Sequence, residues 1–243
     1  MKKKVEVIIQ ARMGSTRLPG KVMLNLCGKP VLWHVLQRVK QAKKVDDIIV
    51  ATSNLQADDI IADYLNSIDT KCFRGDESDV LSRYYYATKK YPADAIIRIT
   101  ADCPLIDPNV IDDVVSCFFT HSCKYASNFS QKRSFPRGLD CEIFSFQLLE
   151  RAFHEATEDF EREHVTPFMY WKQHKIATIE NKEDYSDMRW TLDTLEDFEL
   201  IQAIYHQFYH GEHNFYMKEI YSFLKSNPQI MLLNQEIQQK PVK

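Results

Sequence analysis

The sequence predicts an α/β fold with a mostly parallel sheet. Three observations carry that prediction. Short apolar runs alternate with stretches of helical period through the first half of the chain. These runs are continuous, as strands buried on both faces require, and not apolar at every second residue. The first run also empties into a loop of small and cationic residues, at the place where such sheets collect ligands.

Residues 5–9 form the first expected strand, and Pro30 opens a helix over 31–42. A strand at 47–52, a helix at 57–66, a short strand at 71–73, a helix at 80–89 and a strand at 95–100 follow. The β-α-β-α-β-α-β order predicts right-handed crossovers. The loops after Ile9, Thr52, Phe73 and Thr100 should then share one rim. Asp107 before Pro108 reads as the cap of a further helix. In the second half, strands are expected at 125–128, 139–146, 175–179 and 188–192. Helices are expected at 147–155, 162–172, 196–208 and 218–226, with one more from Pro228. With no Pro/Gly/Ser-rich linker, residues 1–243 read as a single domain carrying an inserted hairpin arm within 120–186 and a helical tail over 214–240.

Composition narrows the function. A formal charge of −3 argues against a broad nucleic-acid surface, so an anionic ligand must be gripped by a local cluster. Lys2-Lys3-Lys4 resembles the basic start of a signal peptide, but the apolar run behind it is only a strand long, and no stretch reaches the roughly 20 apolar residues of a membrane span. A cytoplasmic protein without membrane insertion is expected. The cysteines (27, 72, 103, 117, 123 and 141) contain no C-x-x-C pair and read as reduced, buried thiols, with no zinc site.

The loop 10–21 carries the chemistry. Ala11, Gly14 and Ser15 let a ligand approach the backbone, Thr16 adds a hydroxyl, and Arg12, Arg17 and Lys21 surround them. That combination is a phosphate cradle. It is not a Walker A loop: Gly14 and Gly20 enclose one residue too many, and Val22 follows the lysine where a hydroxyl is required. Two strand ends add carboxylates. Asp102 stands too early to cap the helix at Pro108 and reads as a ligand residue; Asp193 competes with a helix-cap role at Thr194. Meeting on one rim, the two aspartates would make a triphosphate–Mg²⁺ site.

These residues carry a resemblance. "IIQARMGSTRLPGKVM" resembles the "IPAR…STRLPGKP" loop of the sugar-activating cytidylyltransferases, such as the CMP-Kdo and CMP-acylneuraminate synthetases. "RITADCPLIDP", "GDESDVLSRYY", "RGLDCEIFS", "REHVTPF", "RWTLDTLEDF" and the terminal "HNFYMKEIYSFLKSNPQIMLLNQEIQQK" are similar, in order, to the SpsF-like branch of spore-coat and surface polysaccharide enzymes. The likeness covers essentially the full chain. It implies a three-layer fold of the nucleotide-diphosphosugar-transferase type and Mg²⁺-dependent transfer of CMP from CTP to an acidic sugar or related small anionic acceptor. It further implies that Arg12 and Lys21 grip the triphosphate, with Gly14, Ser15 and Thr16 in close contact, that Asp102 and Asp193 hold Mg²⁺, and that the enzyme is a homodimer. Kdo enzymes read "GDEP" where this chain has Ala101-Asp102-Cys103-Pro104, which moves it away from Kdo as acceptor.

Other residues have two readings. Ser53 is a candidate base or ribose contact. Arg83 either contacts nucleotide or pairs with Asp79 on a helix surface. Asp140 and Glu142 hold acceptor hydroxyls, and Arg137 an acceptor anion, unless they form a solvated strand face. His164 is an acceptor contact or a structural histidine. His206, His210 and His213 have metal-ligand spacing but read as an exposed polar face. Alternatives to the main function are a nucleotidyltransferase of the same fold with another nucleotide or a phosphorylated acceptor, a GT-A glycosyltransferase, for which the Asp-x-Asp motif is missing, and a nucleotide-binding regulator.

Overall fold

The computed structural model describes residues 2–129, 132–172 and 176–239. Lys175, expected to open a strand, and Lys240, expected to end the tail, lie outside the described residues.

In chain order, β1 (Val5–Gln10) leads through a two-residue hairpin, β2 (Asn25–Leu26) and β3 (Lys29–Pro30), into α1 (Val31–Val39). Then come β4 (Asp47–Ser53), α2 (Asp59–Ser67), β5 (Cys72–Gly75), α3 (Val80–Lys90), β6 (Ala95–Thr100) and α4 (Pro108–Thr120). The second half contains β7 (Tyr125–Ser127), β8 (Glu142–Ser145), α5 (Phe146–Glu155), α6 (Asp159–His164), α7 (Pro167–Trp171) and β9 (Ile176–Thr178). It closes with α8 (Leu195–Phe208), α9 (Met217–Ser226) and α10 (Pro228–Met231).

One seven-stranded sheet runs β5-β4-β1-β6-β8-β7-β9. All pairings are parallel except those of β8, which runs against both β6 and β7. Successive residues of β1 point to opposite faces, and both faces are apolar: Val7 and Ile9 join α1, α2 and α4, whereas Ile8 joins α3, α5 and α7. Helices therefore cover the sheet on both sides, giving three layers. A further apolar cluster packs α8 and α9 against Leu26, Leu105 and Trp190 beside the sheet. Each fully buried aliphatic side chain contributes roughly 1.5–3 kcal/mol of transfer free energy.

Caps set the helix starts. Asp79 accepts from the Ser82 amide, and Asp107 from the Asn109 amide with Pro108 in the first turn. The second oxygen of Asp107 takes the Met217 amide at 2.8 Å, so this cap also docks the start of α9.

Two expectations need correction. The helix expected over 162–172 is two short helices: Val165 has φ 70° between them, and Pro167 opens the second. Segment 188–192 is no strand of the sheet; it makes a single parallel bridge, Arg137 to Arg189. Within 120–186, β7 and β8 pair side by side in the main sheet, with Tyr125, Ile143 and Phe144 fully buried.

Candidate active site

The loop after β1 is pinned from below. The Ala11 amide donates to the Ala51 carbonyl at 3.0 Å, and the Met13 amide to Asp58 Oδ1 at 2.7 Å. Asp58 is buried, and its other oxygen takes both the amide and the hydroxyl of Ser53 at 3.1 and 2.5 Å. Ser53 is thus a support for the loop; it is fully buried and lines no cavity that Arg12 or Lys21 lines. Because the Ala11 and Met13 amides fold the loop, the grip on an anion falls more to side chains than the sequence implies. Ala11, Arg12, Gly14, Ser15, Thr16, Arg17 and Lys21 all line one cavity of about 310 Å³.

Asp102 and Asp193 meet at Lys21. Its ammonium lies 2.7 Å from Asp102 Oδ2 and 2.7 Å from Asp193 Oδ1. Asp102 stands two residues past the end of β6. Asp193 is delivered by segment 188–193, whose Leu192 amide donates to the Asp102 carbonyl at 2.8 Å. The Thr194–Asp197 capping box starts α8, which frees the Asp193 carboxylate from cap duty. Asp193 Oδ2 then receives Arg17 and Arg189, each at 2.7 Å. Burial pushes both aspartates upward, but the Lys21 ammonium and the hydrogen bonds they accept outweigh it, so both carboxyls titrate below their ordinary value. Burial lowers Lys21, and the two carboxylates more than reverse this. The result is an ionised triad at the mouth of the loop, one cation shared by two carboxylates.

Among the described residues, no cluster of three or more His, Cys, Asp or Glu side chains could hold a metal ion. Mg²⁺ does not need one: it takes one or two protein carboxylates and completes its shell with phosphate oxygens and water. The ionised Asp102–Asp193 pair, already bridged by one cation, fits that donor set.

Arg83 is the most informative neighbour. Its side chain is buried at the wall of the same cavity, and Nε and Nη1 have no hydrogen-bond partner. A buried, unpaired guanidinium facing a cavity is costly unless a ligand completes it. The surface pair with Asp79 does not form, because Asp79 binds Arg162 of α6 at 2.6 and 2.9 Å instead. Gly75 lets Arg83 pass: a Cβ there would stand 2.9 Å from Arg83 Cγ.

A second cavity, of about 1060 Å³, adjoins the first and shares Arg17, Thr100, Asp102, Glu163, His164 and Asp193 with it. Arg137, Asp140, Glu142 and His164 all line it. Their availability differs. Glu142 is buried, with one oxygen on Arg98 and the other on the Tyr125 hydroxyl, both at 2.6 Å, so it holds the wall and not an acceptor hydroxyl. Both oxygens of Asp140 are taken by Arg133. The Arg137 guanidinium makes no hydrogen bond or ion pair among the described residues, although burial and the nearby Arg133 lower its pKa. Burial lowers the pKa of His164 as well, which favours a neutral imidazole.

Arg189 is a site residue that the sequence reading missed; its spacing of four from Asp193 and eight from Asp197 was the available signal. The three-histidine face is corrected at His213 alone, since His206 and His210 are exposed. Helix α8 ends at Phe208, and His213 is buried, 2.9 Å from His34, where it docks the C-terminal layer onto α1.

Comparison with known proteins agrees with this geometry. The family model described as "Cytidylyltransferase" matches residues 6–227. The spore coat polysaccharide biosynthesis protein SpsF of Bacillus subtilis is 34% identical over 209 residues, covering 82% of this chain and 85% of that protein. A cytidylyltransferase structure from Leptospira borgpetersenii superposes with a TM-score of 0.90 at 35% identity, over 98% of this chain and 100% of that one. The structure of CMP:2-keto-3-deoxy-manno-octonic acid synthetase complexed with CTP superposes with a TM-score of 0.65 over 84% of this chain and 99% of that one; at 19% identity the likeness is one of fold.

Proposed function

The chain belongs to the cytidylyltransferase family and is a nucleotidyltransferase, and from that premise we propose that it transfers CMP from CTP to an acidic sugar or related anionic acceptor in surface polysaccharide synthesis, using Mg²⁺. The observation that carries the proposal is the pair of adjoining cavities, which meet at Asp102 and Asp193. A nucleotide on the loop side and an acceptor on the Arg137 side would face each other across those carboxylates.

In this reading Arg12 and Lys21 bind the β- and γ-phosphates, and Arg83 completes its unmade hydrogen bonds on the nucleotide. Arg137 takes the anionic group of the acceptor, and His164 lies against both substrates. The acceptor hydroxyl gives its proton to solvent, its oxygen bonds to the α-phosphorus, and the opposite P–O bond breaks to release pyrophosphate. Such transfers depend on positioning and charge neutralisation more than on covalent help from the protein. Asp102 and Asp193 would hold Mg²⁺, whose role is to neutralise the phosphate oxygens.

Pyrophosphate release measured with CTP, ATP, GTP and UTP against a panel of acidic sugars tests the proposal. Release with CTP and an acidic sugar is expected; release only with another nucleotide, or only with neutral acceptors, would refute it. The cytoplasmic location and the homodimer belong to the same proposal. Among the described residues no helix is long and apolar enough to cross a membrane, and sedimentation of the full chain decides the oligomeric state.

A further inference from the structure

The family match ends at residue 227, yet the chain beyond it returns to the site. Past α10, the buried amide of Asn234 donates to Asp197 Oδ1 at 2.8 Å and to the Arg189 carbonyl at 3.0 Å. Gln239 Oε1 accepts from Arg189 Nη1 at 2.6 Å. The remaining nitrogens of Arg189 bind Asp197, at 2.9 and 3.0 Å, and Asp193 Oδ2 at 2.7 Å. Asp197, fully buried, also takes the Asp193 amide at 2.9 Å. Each nitrogen of the Arg189 guanidinium is therefore committed: one to the tail, one to Asp197, one shared by Asp197 and Asp193. Gln239 lines the larger cavity together with Asp193.

We infer that the C-terminal segment 232–239 is a working part of the active site, in which Gln239 and Asn234 are positioning residues that hold Arg189 and, through it, the Asp193 carboxylate. This rests on the reading of Asp193 as a metal-holding residue. The physical reason is positional. Lys21 holds Oδ1 of Asp193 and Arg17 holds Oδ2 from the cavity side; Arg189 is the second cation on Oδ2, and it keeps that place only if its own fork is fixed. Among the described residues, the Arg189 guanidinium has a single side-chain partner outside segment 193–197, and that partner is Gln239.

The test is CTP binding by titration calorimetry on the full chain, with Mg²⁺ and with EDTA, for wild type, Gln239→Leu, Gln239→Glu and Asp193→Asn. Gln239 is exposed, so its replacements keep the fold, which melting temperature verifies. Wild type should bind CTP more tightly with Mg²⁺, and Asp193→Asn should lose that gain. Gln239→Leu should lose about tenfold of the Mg²⁺-dependent affinity, the lower end for losing an outer partner of a metal ligand, with the EDTA value unchanged. Gln239→Glu, which keeps an oxygen on Arg189, should recover the gain. If Gln239→Leu keeps the full gain, or if Leu and Glu are equally weakened, the inference is overturned while the reading of Asp193 stands. If wild type shows no gain with Mg²⁺, or Asp193→Asn keeps it, that reading fails and the inference fails with it.

Discussion

At the scale of single residues, the site is a set of charges whose partners decide their roles. Lys21 bridges two carboxylates at once, and Lys21→Ala should lower turnover by about 10²-fold, the scale for losing one preorganised charge donor. Steady-state pyrophosphate release checks this; a wild-type kcat would remove Lys21 from the mechanism. Arg83 gives an opposite signature in two measurements. Its Nε and Nη1 lose no hydrogen bond when the guanidinium is removed, so Arg83→Met should leave the melting temperature unchanged or raise it. CTP binding should weaken by about tenfold or more, as expected for charged hydrogen bonds lost to a ligand. A fall in melting temperature with unchanged CTP affinity would make Arg83 structural. Arg12, Lys21 and Asp102 could be singled out from the sequence because each stands in the loop or just past a strand end, and Arg83 because its helix begins shortly after β5. Ser53 and Glu142 were legible only as candidates, since Asp58 and the Arg98–Tyr125 pair that engage them come from other places in the chain.

Elements bring these residues together. Segment 188–193 runs between the end of β6 and the turn at Gly138, bonded to Arg137 on one side and to Asp102 on the other. Gly138 has φ 99°, and a Cβ there would stand 2.5 Å from the Trp190 carbonyl carbon. Gly138→Ala should therefore destabilise the protein by about 2 kcal/mol or more, combining backbone strain with a backbone clash. Chemical denaturation measures the loss; a change below about 0.5 kcal/mol would show that the turn relaxes freely. The fork from Arg162 to Asp79 ties α6 to α3 and so holds Glu163 and His164 over both cavities.

For the whole molecule, the sheet has its chemistry at one end and a buried acid at the other. Glu6, at the second position of β1, is fully buried without a hydrogen-bond partner and has Lys4 at 3.7 Å. Burial, only partly offset by Lys4, raises its pKa from 4.5 to about 7. The folded state then holds the proton more tightly than the unfolded chain, so this group's contribution is greatest at low pH, falls between pH 4.5 and about 7, and is level above that. The full effect is roughly 3 kcal/mol at most. Relative to Glu6→Gln, wild type should be more stable at pH 5 than at pH 8, as read by denaturation at both values; a difference independent of pH would show that Glu6 is ionised throughout. Acid loss from Asp102 and Asp193 is separate, because their lowered carboxyls lose their contribution only below about 3.8.

What the sequence determined by itself was local: the order of strands and helices, the parallel half of the sheet, the cationic loop at the end of β1, and the aspartates at 102 and 193. Each is written in a few neighbouring residues, through apolar runs, caps and strand ends. Only the tertiary structure decided which side chains remain free for ligands. Asp193 reaches Asp102 through backbone bonds spanning 90 residues of chain, as in the Leu192 amide on the Asp102 carbonyl. Gln239 reaches Arg189 across a separation of 50. A side chain's partner at such distances is set by how the layers pack, and no local pattern records it.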